Sequence, residues 1–147
     1  MEGEYVTIDW AEFQQQMGYT DEEMTMFQAN PKAVRLLERV DKMAGWDIIA
    51  EVMEAPGCAN HKPGDKIILS PLGLLRAHEG PETICVHALP PLSVAVAVIQ
   101  ERLCSDLDPE PYMFDRLSCL DVGVRCGGWG QAIFKIYPVR RSEGQAT

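Results

Sequence analysis

No two cysteines in this chain are separated by just two residues, so the Cys-x-x-Cys pairing of dithiol redox proteins and zinc ribbons is missing. Positive charge is also scarce. Thirteen Lys and Arg stand against 22 Asp and Glu, for a net charge of −9, and the basic residues are scattered apart from Arg140-Arg141. Such a chain repels phosphate backbones and anionic lipid, which argues against nucleic-acid and membrane-surface binding. The longest apolar run, Ala88 to Ile99, is too short to span a bilayer and is interrupted by Pro90 and Pro91. The opening "MEGEYVTIDW" is acidic and mixed rather than basic and then apolar, so the expected location is the cytoplasm. Internal repeats and low-complexity segments are absent. "CGGWGQ" (Cys126 to Gln131) has glycines but neither the G-x-G-x-x-G spacing nor the lysine of a phosphate loop, and reads as a tight turn permitting close backbone approach.

What is present is ordinary in bulk. A chain of 147 residues, 46 % apolar and 24 % charged, can bury a self-sufficient core without a metal or a disulfide to hold it. The five cysteines (Cys58, Cys85, Cys104, Cys119 and Cys126) are odd in number, which disfavours a disulfide framework and leaves buried thiols, a metal site or a reactive thiol.

The first third reads as helix. Trp10, Phe13 and Met17 share a face, Gly18 ends that segment, and Thr20-x-x-Glu23 has the form of a capping box. Asn30-Pro31 opens a further helix running to about Met43. From Trp46 the pattern changes to strand: "WDIIAEVME" sets Ile48, Ala50 and Val52 on one face, and Asp65 to Ser70 follows as a second strand. Leu92 to Leu103 reads as a helix so apolar that central burial is expected, with a strand as the alternative. "RLSCLDVGVRC" and "QAIFKIYPV" read as two strands joined at Gly127 to Gly130 in a short antiparallel hairpin. The expectation is α+β: a helical arm over residues 1–45, then over 46–147 a small, mostly antiparallel sheet packed on one apolar helix. The arm is the expected docking element, either for the sheet or for a partner protein or second copy.

The chemistry concentrates in "GCANHKPGD". Cys58 and His61, on a turn, can reach one ion without stretching the backbone. Cys85 and His87 share a face if their stretch is extended. With Cys119, these residues suffice for a tetrahedral site. Cysteine is also a common core residue, and that bland reading suits Cys104 and Cys126 better than Cys58, whose loop is polar. Catalysis is the rival: a loop thiol beside an imidazole is the minimum of an activated nucleophile, with Cys58 as nucleophile, His61 as acid or base, and Asp65 or Asp121 to orient it. A third reading is an interaction module acting through the arm and Trp129.

The motif C-x-x-H-K-x-G-D (Cys58, His61, Lys62, Gly64, Asp65), then C-x-x-A-L-x-P (Cys85, Ala88, Leu89, Pro91), then Cys119 with Asp121 and a closing "AIFKI", resembles an uncharacterised family of small bacterial and archaeal proteins. The likeness covers the chain from Val52 onward. The helical arm and "VGVRCGGWG" are departures from the short form. The resemblance implies a domain and a residue group, Cys58, His61, Cys85 and Cys119, rather than a reaction. Together these readings lead to a cytoplasmic accessory or small catalytic subunit of bacterial metabolism holding zinc or ferrous iron, the metals that thiolate-rich ligation suits. A metal-free enzyme and the interaction module are the alternatives.

Overall fold

The structure, a computed structural model, describes residues 6–110 and 113–142. It divides into two compact units, Met1–Lys42 and Met43–Thr147.

In the first unit the capping residues act as the sequence implies. Asp9 accepts from the N–H groups of Ala11 and Glu12 to open α1 (Trp10–Met17), and Gly18 closes it with φ 70°. Thr20 and Glu23 form a reciprocal capping box for α2 (Asp21–Gln28). The Asn30 side chain and Pro31 start α3 (Pro31–Glu38). Rings of Trp10, Phe13, Tyr19 and Phe27 meet one another at 5.1–6.4 Å between centroids. The helix expected to reach Met43 instead breaks at Arg39 (φ −109°, ψ 5°), and α4 (Val40–Ala44) follows.

The unit boundary falls inside α4 because Met43 belongs to the second core. Its side chain is fully buried and its Sδ lies 3.8 Å from the Sγ of Cys104. That core is built on four antiparallel strands in the order β2-β1-β4-β3: β1 (Trp46–Glu54), β2 (Lys66–Leu69), β3 (Arg116–Ser118) and β4 (Ile133–Arg140). The register sets Ile48 between Leu69 and Pro138, and Ala50 between Ile67 and Ile136. One face is therefore closed by Ile48, Ala50, Val52, Ile67, Phe134 and Ile136, all at most 2 % exposed. Burying each large one of these contributes about 1.5–3 kcal/mol.

Pro138 sits in a central strand yet leaves no ladder bond unmade. Ile136 donates its N–H away from β1, to the Asp115 carbonyl. Two residues on, Pro138 has the same orientation, and β3 pairs no further along β4 than Lys135.

The apolar segment is α5 (Leu89–Cys104), with Pro90 and Pro91 in its first turn, so the strand alternative is excluded. It buries Leu92, Ala95, Val96, Ile99 and Leu103, one face at helical spacing. Central burial is a misreading: Val94 and Val98 on the other face are 61 % and 38 % exposed. The short hairpin also needs correction. β3 ends at Ser118 and β4 starts at Ile133, and a folded loop with a 3-10 turn at Val124–Cys126 lies between them. Among the described residues no helix is long and apolar enough to cross a membrane.

Candidate functional site

Three loops of the second unit meet at one end of the sheet. The first follows β1 and carries Gly57 to His61. Its return is pinned by Gly64 N–H on the Val52 carbonyl and Val52 N–H on the Asp65 carbonyl. The second, 83–88, leads into α5. The third, 119–132, joins β3 to β4.

The first and third loops touch backbone to backbone. Gln131 N–H donates to the Pro56 carbonyl at 3.0 Å. A Cβ added at Gly130 would collide with the Gly57 carbonyl, and Gly57 itself has φ +70°. Asp121 shapes the third loop from within, accepting the N–H groups of Gly123 (2.9 Å), Trp129 (3.0 Å) and Gly130 (3.2 Å). These donors hold its carboxyl below the ordinary carboxylate range, with a smaller contribution from the nearby His87. The turn chemistry of "CGGWGQ" is therefore real, but it is organised by an aspartate several residues upstream.

The first and second loops are tied by side chains. Asn60 accepts from the Thr83 hydroxyl and donates to the Thr83 carbonyl at 3.1 Å. Beside this tie lies His61, only 3 % exposed. Its backbone N–H donates to the Sγ of Cys58 at 3.3 Å, and its ring Nε2 accepts the N–H of Cys85 at 3.1 Å. The Asn60 amide nitrogen lies 3.3 Å from the same ring atom. Because Nε2 accepts, the hydrogen-bond network assigns the ring proton to Nδ1. Nδ1 is buried without a hydrogen-bond partner, 3.9 Å from the Asp65 carboxylate. Burial pushes the His61 pKa down, and Asp65 opposes this only in part.

Between the loops lies a mostly apolar cleft of about 210 Å³ lined by Cys58, Cys85, His87, Cys119, Asp121 and Trp129, with His61 in its wall. The four residues singled out as one group, Cys58, His61, Cys85 and Cys119, thus all border one space. They do not make a coordination shell: among the described residues no group of three or more His, Cys, Asp or Glu is placed to hold a metal ion. The His61 ring gives one reason, since its Nε2 is taken by the Cys85 amide. Nor does Asp121 orient His61, because its oxygens are committed to the third loop and the nearest carboxylate to the ring is Asp65.

The thiols differ. Cys58 Sγ receives a donor. Cys119 Sγ receives the Ala132 N–H at 3.3 Å and points its own proton at the Asp121 carbonyl, 3.7 Å away. Cys104 is buried and Cys126 is exposed. His87 is the exposed imidazole of the cleft. Sequence reasoning missed Thr83, whose contact with Asn60 spans 23 positions and has no local signature. Family models, curated proteins and solved structures gave no match to this chain.

Proposed function

We propose that the cleft is a thiol-based site for a small, largely apolar electrophile, with Cys58 as nucleophile and His87 as the solvent-accessible imidazole that carries protons. The observation that supports this most is the backbone N–H of His61 aimed at the Cys58 sulfur inside an apolar cleft. A fixed N–H donor in a site of low polarity favours negative charge on the atom that it faces. Cys119 suits the role less, because its thiol proton is already engaged. His61 is unsuited to acid–base work, since it is buried and its accepting nitrogen is occupied.

Alkylation of the reduced protein with iodoacetamide, followed residue by residue by peptide mass spectrometry, tests the proposal. Cys58 should react faster than Cys126, although Cys126 is exposed and Cys58 half-buried. Reaction in order of exposure would remove the case for an activated thiol.

The convergence of Cys58, Cys85, Cys119 and His87 supports a second reading, a zinc or ferrous-iron site in an accessory subunit. It requires the thiols to close in on the ion, with His87 replacing His61. Stoichiometric metal in protein purified reduced and without air, lost in Cys85→Ser, would establish this reading in place of the first.

A further inference from the structure

The thiol chemistry proposed above leaves the His61 ring unused, yet this is among the most buried polar side chains of the second unit. It makes two bonds in opposite directions. Its main chain donates to the Cys58 sulfur, and its ring accepts from the Cys85 main chain. The Phe134 ring of β4 lies edge-on to it at 6.1 Å between centroids, so the imidazole is backed by the sheet and cannot drift away from the loops.

From this we infer that His61 is a positioning residue, a strut that sets the Cys58 loop and the Cys85 loop against each other and so fixes how far each thiol is presented to the cleft. The inference rests on the thiol reading of the cleft only for its functional meaning, because the strut itself is a matter of two hydrogen bonds. The Asn60–Thr83 tie joins the same two loops further out; its Asn60 amide nitrogen lies 3.3 Å from His61 Nε2 and so touches the strut, while the Thr83 hydroxyl donates to the other end of that amide, Asn60 Oδ1. The strut should therefore control the Cys85 amide and the balance between the two thiols, and the outer tie should not. An acceptor at the Nε2 position is what the design requires, whereas a titratable ring is not. Glutamine places a carbonyl oxygen near that position and leucine places none.

The experiment compares His61→Gln, His61→Leu and Thr83→Val in the full chain by amide hydrogen exchange and by iodoacetamide labelling. In His61→Leu the Cys85 amide should exchange about tenfold faster, as expected when a buried donor loses its acceptor. Labelling of Cys85 should rise and that of Cys58 should fall. His61→Gln should restore Cys85 protection and the labelling ratio, and Thr83→Val should leave the Cys85 amide protected. Equal behaviour of the Gln and Leu variants, or loss of Cys85 protection in Thr83→Val alone, overturns the strut. If His61→Leu does not fold, His61→Gln decides: retained protection supports the inference and lost protection defeats it. Amide exchange does not depend on thiol reactivity, so an inert wild-type Cys58 would end the functional proposal while leaving this one to stand or fall by itself.

Discussion

Asp121 and His61 both have pKa values displaced downward, and both make the second unit less stable in acid, over separate windows. For Asp121 the charged form is favoured by backbone donors. Its stabilisation is present above the ordinary carboxylate value of 3.8 and fades as pH falls through the lower folded value. For His61 the neutral form is favoured by burial. Its contribution is complete above 6.5 and is lost as pH falls from there through the depressed folded pKa, where a second ring proton would face the Cys85 N–H. Thermal unfolding followed over this range should show a decline beginning near the histidine window that is flattened in His61→Gln. A later decline should be flattened in Asp121→Asn. An unchanged upper window in His61→Gln would show that some other group titrates there. At this scale the sequence was partly legible. A cysteine in a polar Gly/Pro/Asn loop is poorly placed for a core, which singled out Cys58. The direction of the His61 ring could not be read, because its partner amide is 24 positions away.

Elements were legible wherever the signal is local. Gly18, the Thr20–Glu23 box and Asn30-Pro31 act within one helical turn, and each lies where its side-chain chemistry requires. The break at Arg39 has neither glycine nor proline to announce it. Alternation in β1 revealed its buried face, because a strand beneath a core has to repeat every second residue. The hairpin after β3 was misread because glycines dominate the local pattern, whereas the carboxylate that folds the loop lies outside it. In α5 the abundance of valine hid the asymmetry of the helix, and the structure makes that asymmetry testable. Leu92 is fully buried and Val94 is 61 % exposed. Leu92→Ala should cost about 2–5 kcal/mol, the usual range for emptying a core position. Val94→Ala should stay within about 0.5 kcal/mol. Urea unfolding measures both, and a costly Val94→Ala would mean that this face of α5 is covered in solution.

At the scale of the whole molecule, the acidic sequence and its five cysteines described a class, but they could not show that three of those thiols share a cleft. Such convergence is decided by the strand order β2-β1-β4-β3, which brings the loops after β1 and before β4 to one end of the sheet. The residues that shape the cleft lie between Val52 and Phe134, inside the second unit. That unit has its own core of Met43, Ile48, Ile67, Leu92, Ile99 and Phe134. Residues 43–147 alone should therefore fold cooperatively and keep the labelling order of the full chain, Cys58 ahead of Cys126. Removal of residues 1–42 should matter only for association, the role expected of the arm. The comparison is direct: urea unfolding and iodoacetamide labelling of the truncated and full chains, with sedimentation to follow association. Retained labelling with altered association assigns the chemistry to one unit and docking to the other. Lost labelling in a truncated chain that still unfolds cooperatively would mean that Cys58 reactivity depends on residues 1–42.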